Sequence, residues 1–392
     1  MNVLFLLKTL DIGGVEIVTL TLANKFREKG HNISIFAFSS AKNSIEKYID
    51  KEVHIYVQEK LQYNKKNIFS LREILIKNSI DIIINQWGLP FLPIKIALKA
   101  SRNLNIKIIS IHHNSPEANG ILKKIEIQLS KTTNPINKLI LKGKKEICKQ
   151  ITSKSMRYVY NHSDVYMVLS PSFVEKFKLF TKIANPQKLI VQTNPITIDS
   201  SNFHYTKENK QKEIIYMGRL DYNQKRVYRV IDTWKELEDK YTDWKLTIVG
   251  DGPERENLEQ QVNSLNLKHI SFEGFQSPKS YYERASILLL TSEYEGFPLV
   301  LAECMSFGVV PIVYGSYSAV YDIIRHKENG MITQPQNGKF SHIEMAKQLS
   351  FLIENDIERN IMAQEAIRTS KENYSLETIY QSWFNLFNKL ML

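Results

Sequence analysis

Short continuous aliphatic runs recur along these 392 residues, and each is followed by a stretch with helical spacing. In the first half the runs fall at 2–7, 32–38, 53–58, 81–85, 106–111, 165–169 and 189–192, with helical stretches such as 14–29, 69–78 and 91–101 between them. Segments such as Ile82-Ile83-Ile84 have no polar alternate face, so they read as parallel strands covered on both sides. The second half repeats the alternation, with strands at 213–217, 245–249, 269–272, 286–290, 311–314 and 330–333 and helices near 226–240, 253–264, 299–307 and 341–354. Two successive βα arrays predict an α/β chain of two doubly wound, Rossmann-like domains.

The boundary falls at Asn194-Pro195-Ile196-Thr197-Ile198-Asp199-Ser200-Ser201, a polar stretch with a proline and no helical period. This gives domains at 1–195 and 196–374, followed by an apolar helix over 375–392 that carries Trp383, Phe384, Leu386 and Phe387. Ligands of doubly wound sheets bind beyond the carboxyl ends of the strands, so two such domains make the cleft between them the default site.

Charge divides at the same place. Residues 1–195 hold 30 Lys+Arg against 14 Asp+Glu, and residues 196–392 hold 22 against 27. Within the basic half, 121–157 carries ten Lys/Arg against Glu126 and Glu146, interleaved with Ile121, Leu122, Ile125, Ile127, Leu129, Leu139, Ile140 and Leu141. One or two basic amphipathic helices fit that pattern. A solvated face and a contact with an anionic membrane surface are both open, and the membrane contact is favoured. Nucleic acid is not expected, because the segment lacks an aromatic stacking platform and no nucleic-acid motif occurs. Two cysteines, Cys148 and Cys304, exclude a disulfide framework and fit a reducing compartment. The histidines show no metal-ligand spacing, and no apolar run reaches the ~18 residues of a membrane span. The first residues read as a buried strand interrupted by Asp11 and Gly13, not as a signal peptide. A cytoplasmic protein, peripheral on the inner face of the cytoplasmic membrane, is the expectation.

The segment Glu295-Gly296-Phe297-Pro298-Leu299-Val300-Leu301-Ala302-Glu303 carries the most chemistry. Pro298 suits the first position of a helix, and the amides after it favour an anion. Glu295 precedes that helix and Glu303 lies just over one turn into it. Carboxylates accept hydrogen bonds from hydroxyls. The segment therefore fits a ligand with hydroxyls on both sides of a phosphate, as in a nucleotide sugar; two acids complementing a helix dipole is the plainer alternative. Other strand ends offer partners. Met217-Gly218-Arg219-Leu220-Asp221 with Lys225 supplies cations for phosphate oxygens. Val249-Gly250-Asp251-Gly252-Pro253-Glu254 is a tight turn, where Gly252 either shapes the turn or meets the ligand. At Phe272-Glu273-Gly274-Phe275 a flat base could lie against the backbone at Gly274 and against Phe275. In the first domain Gly13-Gly14 opens a helix without a nicotinamide fingerprint. His112-His113-Asn114 follows a strand, where it reads as a cleft residue or as a polar loop.

In their order along the chain these pieces resemble a family-4-type glycosyltransferase of the glycosyltransferase group 1 family, a retaining enzyme of GT-B fold. The resemblance implies that Arg219 and Lys225 neutralise the donor diphosphate without a divalent metal. It places Glu303 on the ribose and Glu295 on the donor sugar, beside the amides around Phe297, Leu299 and Val300. Gly218, Gly252, Gly274 and Phe275 would line the nucleotide site, Gly13 and Gly14 the cleft floor, and His113 would meet the sugar. It implies transfer of a hexose or N-acetylhexosamine from a nucleotide diphosphate sugar, UDP-sugar favoured, to a saccharide acceptor. The basic segment suggests that this acceptor is lipid-linked, as in bacterial surface polysaccharide assembly. It also implies a C-terminal helix crossing back to the first domain. Two departures stand out. Arg226 follows Lys225 where the family usually has glycine, and Ala319-Val320-Tyr321-Asp322 stands where it often has Gly-x-Pro-Glu. The alternatives are a GT-B nucleotide-sugar epimerase or phosphorylase, and a binding protein that has kept the fold.

Overall fold

Seven parallel strands form the sheet of the first unit, which comprises Met1–Pro195 and Leu376–Leu392. They are β1 (Asn2–Leu7), β2 (Asn32–Ala37), β3 (His54–Val57), β4 (Ile82–Asn85), β5 (Lys107–His112), β6 (Val165–Val168) and β7 (Leu189–Val191). The computed structural model of the chain describes residues 1–39 and 45–392. Strand order is β3-β2-β1-β4-β5-β6-β7, with Val3 paired to Ile33 on one side and Ile82 on the other. Both faces of the central strands are covered, which is why their sequences are unbroken hydrophobic runs. Helices α1 (Gly14–Glu28), α2 (Lys65–Lys77), α3 (Phe91–Ala100), α4 (Gly120–Lys131), α5 (Pro135–Asn161) and α6 (Phe173–Thr181) make the crossovers. Asparagine starts three of them: Asn64, Asn119 and Asn134 each accept from first-turn amides, so donors that the helix leaves unpaired are satisfied. The basic segment is thus two helices, α4 and α5.

The second unit, Ile196–Ser375, is built on six parallel strands in the order β10-β9-β8-β11-β12-β13. These are β8 (Glu213–Met217), β9 (Lys245–Val249), β10 (Ile270–Gly274), β11 (Ile287–Leu290), β12 (Val310–Tyr314) and β13 (Met331–Thr333). Around them lie α7 (Tyr228–Lys235), α8 (Arg255–Ser264), α9 (Lys279–Arg284), α10 (Leu299–Ser306), α11 (Ala319–Ile323), α12 (His342–Glu354) and α13 (Asp356–Tyr374). Trp234, Trp244, Leu246, Ile248 and Leu349 anchor its core. In each sheet the strand order reverses once, between β1 and β4 and between β8 and β11. Loops leave in opposite directions at that point and open a crevice at the carboxyl ends.

Helix α14 (Leu376–Met391) belongs to the first unit although the second unit precedes it in the chain. It packs on α1: Phe26 meets Trp383 at 5.8 Å and Phe387 at 5.3 Å between ring centroids. Tyr380 lies 3.3 Å from His31, and Glu377 bridges Lys25 and Lys29, each at 3.1 Å. Pro298 departs from expectation. Its ψ of 93° is extended, so it caps α10 from outside and Leu299 is the first helical residue. No described helix is long and apolar enough to cross a membrane.

Candidate active site

The turns after β8 and β9 touch backbone to backbone. A side chain at Gly250 would stand 1.9 Å from the Gly218 carbonyl oxygen, and one at Gly252 would stand 2.3 Å from that of Leu220. Packing of one turn on the other therefore accounts for Gly252. Gly274 accepts from the Gly250 amide at 2.7 Å and holds the end of β10 beside them, while Phe275 beyond it is exposed.

The loop after β8 is fastened to the loop after β11. Thr291 Oγ1 donates to the carbonyls of Lys225 and Arg226 at 3.1 and 3.0 Å, and the Glu293 amide donates to the Gln224 carbonyl at 2.8 Å. This brings Lys225 Nζ to 2.5 Å from Glu295 Oε1. Gln224 Nε2 donates at 3.1 Å both to Glu295 Oε2 and to the Tyr294 carbonyl. Arg219, largely exposed, reaches Gln224 Oε1 at 3.3 Å. The structure therefore joins Arg219, Lys225 and Glu295 through Gln224, a residue that carries no motif signal. It also pairs Lys225 with Glu295 directly, where the sequence assigned them to different parts of a ligand. Tyr317 lies in the field of Glu295. Its phenol is pushed well up by burial and further by that carboxylate, and its hydroxyl has no hydrogen-bond partner among the described residues.

Arg226 adopts φ 54°, the left-handed region that glycine enters without strain. That explains the glycine usual at this place, and here the cation has other contacts. Its guanidinium stacks 4.6 Å from the Tyr222 ring and lies 3.7 Å from Glu293, which Arg229 also holds at 2.5 Å.

Helix α10 begins at the half-buried Leu299 and Val300, whose amides lack partners within the helix. The Phe297 ring is buried on Tyr374 at 5.2 Å, so that side chain serves the core. Glu303 is buried too. Thr197 Oγ1 donates to its Oε1 at 2.5 Å and Tyr282 to its Oε2 at 3.4 Å. Burial raises its carboxyl above the usual range, against the lowering effect of those two hydroxyls. Both oxygens already accept from hydroxyls of the chain, in the manner the resemblance assigns to ribose. Thr197 lies in the stretch that reads as a linker, and nothing in the sequence marks it as a partner of Glu303.

In the first unit Gly13 caps α1, and a side chain there would collide with Glu16 Oε2 at 2.5 Å. The Glu16 carboxylate therefore already faces this helix start. Burial raises its carboxyl, and Asp11 raises it further. Gly13 and Gly14 thus present a turn suited to hydroxyls rather than to a second anion. At the end of β5, His112 is buried with its Nε2 unpartnered among the described residues, and His113 Nε2 donates to Gln86 Oε1 at 2.6 Å. Burial lowers His112 to about 4 and His113 to about 3, the latter also through its neighbour. Both rings are neutral at neutral pH. Gln86, at the end of β4, was not marked by the sequence either.

Two family models match the chain: "Glycosyltransferase Family 4" over residues 12–199 and "Glycosyl transferases group 1" over 198–369. An uncharacterized glycosyltransferase of Haemophilus influenzae is 29% identical over 388 residues, covering 97% of each chain. A Campylobacter jejuni relative is 28% identical over 403 residues, covering 98% of each; it is the GalNAc-alpha-(1->4)-GalNAc-alpha-(1->3)-diNAcBac-PP-undecaprenol alpha-1,4-N-acetyl-D-galactosaminyltransferase. Among solved structures, Anabaena HepE in complex with UDP and glucose superposes with a TM-score of 0.73 at 14% identity, covering 99% of this chain and 100% of that one. That likeness shows a shared fold. Together with the two matched models, it identifies this protein as an enzyme of the group 1, family-4-type glycosyltransferases, which have the GT-B fold.

Proposed function

We propose that the protein moves a hexose or N-acetylhexosamine, with retention of configuration, from a UDP-sugar to a lipid-linked saccharide acceptor in bacterial surface polysaccharide assembly. One observation carries the proposal: the Lys225–Glu295 pair, clamped by Gln224 at the crossover between β8 and β11. Within the pair each charge neutralises the other and fixes its position. An arriving diphosphate competes with Glu295 for the ammonium. Lys225, joined by Arg219, then takes the phosphate charge as the sugar departs, in place of a divalent metal. Glu295, relieved of its cation, accepts from hydroxyls of the donor sugar. Leu299 and Val300 offer amides to the same anion. The leaving phosphate takes the proton of the acceptor hydroxyl, so no side chain is required as base. His113, neutral and oriented by Gln86, contributes hydrogen bonding to the sugar. The name of the Campylobacter relative supports a saccharide acceptor, and the undecaprenol in that name supports a lipid-linked one. Such an acceptor would hold the enzyme as a peripheral protein on the inner face of the membrane.

The test is a thermal-shift screen of UDP-, GDP- and ADP-sugars, followed by transfer assays with Lys225→Ala and Glu295→Gln. A donor present at ~100 times its Kd adds about 2.7 kcal/mol of stability. UDP-sugars should shift the wild type, and both variants should lose transfer. Full transfer by both variants would overturn the site assignment. Rapid epimerisation of the donor without acceptor would favour an epimerase, and tight nucleotide binding without turnover on any acceptor would favour a binding protein.

A further inference from the structure

A helix packed against its own domain turns its apolar stripe inward. Over roughly the first five turns of α5 this arrangement is reversed. At the helical repeat, Ile136, Leu139, Ile140, Ile147 and Ile151 fall within an arc of about 120°, and they are between 61 and 72% exposed. Gly143 lies in the same arc, with open space where a side chain would stand. The half-buried residues of this stretch, Leu141, Lys145 and Cys148, lie on the other side. Lys145 pairs there with Glu126 of α4 at 3.0 Å. Only the last turns, at Met156, Val159 and Tyr160, reach the core. The helix is about 40 Å long, and roughly half of that length presents an uncovered aliphatic strip. Lys138, Lys142, Lys144, Lys149 and Lys154 are exposed along it, and Glu146 is the one acid between 135 and 157.

We propose that this face of α5 inserts into the interface of an anionic membrane, with the helix parallel to the surface, its aliphatic strip below the headgroups and its lysines among them. The sequence treats 121–157 as one basic surface. The structure narrows the contact to α5, because that helix carries the exposed strip, whereas in α4 Ile121 is the one large aliphatic side chain exposed among the described residues and Lys123 is engaged by Glu126 at 2.9 Å. Charge selects the occupant. At the helical repeat Lys144 and Lys142 stand on the two sides of the strip and Lys154 continues its line. Two copies meeting through it would bring these like charges together, whereas anionic lipid satisfies strip and lysines at once. The proposed lipid-linked acceptor gives this surface a purpose, but the surface itself follows from the helix alone.

The experiment is flotation of the full-length protein with vesicles of phosphatidylethanolamine and phosphatidylglycerol, and with pure phosphatidylcholine, at low and high salt. The wild type is expected to float with the anionic vesicles, retain part of that binding at high salt, and bind phosphatidylcholine weakly. Ile140→Glu with Ile147→Glu should weaken partition about tenfold or more while leaving the melting temperature and the donor-induced thermal shift unchanged. Lys142→Gln with Lys144→Gln should lose binding chiefly at low salt. Failure of the wild type to float, or undiminished flotation of the Ile140→Glu/Ile147→Glu variant, would overturn the proposal. So would a dimer in solution that this variant splits, since a second copy would then cover the face. Vesicle binding without transfer to a lipid-linked acceptor would sink the acceptor reading and leave the surface standing. Transfer without vesicle binding would do the reverse.

Discussion

Lys225 and Glu295 are mostly buried and bonded to each other across seventy residues of chain. Removing one partner leaves the other charge without its counterion, which costs more than removing both. Lys225→Met and Glu295→Gln should therefore each destabilise the second unit more than the double variant does, in a urea-denaturation cycle. Each should also lower kcat by about 10²–10³-fold, the scale of losing one preorganised charge contact. Arg226 gives a separate prediction. At φ 54° a β-branched residue is strained, so Arg226→Val should cost about 1–3 kcal/mol. Arg226→Gly should change stability little, because relief of the backbone offsets the lost stacking on Tyr222. The histidines supply the pH dependence. The unfolded chain protonates them near about pH 6.5, and the folded chain only near 4 and 3. Their contribution is complete above about pH 6.5 and is lost progressively as pH falls toward 3. Melting temperatures measured across that range should fall less steeply for His112→Gln/His113→Asn than for wild type. At this scale the charged and glycine motif residues were legible because their chemistry marks them. Gln224, Gln86 and Thr197 were not, since a neutral polar side chain acquires its role from a partner distant in the chain, and no local pattern records that partner.

Among the elements, the strands were the most readable, because burial on both faces demands an unbroken aliphatic run, as at β4 and β11. Helices with one covered face were next. Helix α13 escaped notice because its polar residues lie all round and its buried positions are mostly small, such as Ala363 and Ala366. Helix α14 was visible as an apolar segment, yet its composition alone could not say where it docks. The structure answers with Phe26 and His31, both on the first unit. That packing makes Trp383, almost fully buried, an anchor of the first unit and not of the second. Trp383→Ala should cost about 3–5 kcal/mol. The loss should appear in the unfolding of the first unit, followed by limited proteolysis around α1, while the donor-induced shift of the second unit persists.

For the whole molecule, continuity of the chain and continuity of the fold differ between the two units. The second unit is one uninterrupted segment, Ile196–Ser375, and it holds Arg219, Gln224, Lys225, Glu295 and Glu303. The first unit is discontinuous, because its α1 surface is completed by a helix that arrives only after the second unit has been traversed. Domains with their own cores fold alone when nothing essential is missing. Residues 196–375 expressed alone should therefore fold cooperatively and keep nucleotide binding, with affinity lowered only by whatever the first unit adds. Residues 1–195 alone leave Phe26 and its surroundings without Trp383, Tyr380 and Phe387, and should be aggregation-prone. Joining 376–392 to residue 195 through a flexible linker should restore a soluble unit. Circular dichroism melts and size-exclusion profiles of the three fragments decide the matter. A well-folded 1–195 without the tail would show that α14 merely decorates the first unit. A fragment 196–375 that folds but binds no nucleotide would move essential donor contacts into the first unit, to His113 and the Gly13–Gly14 turn.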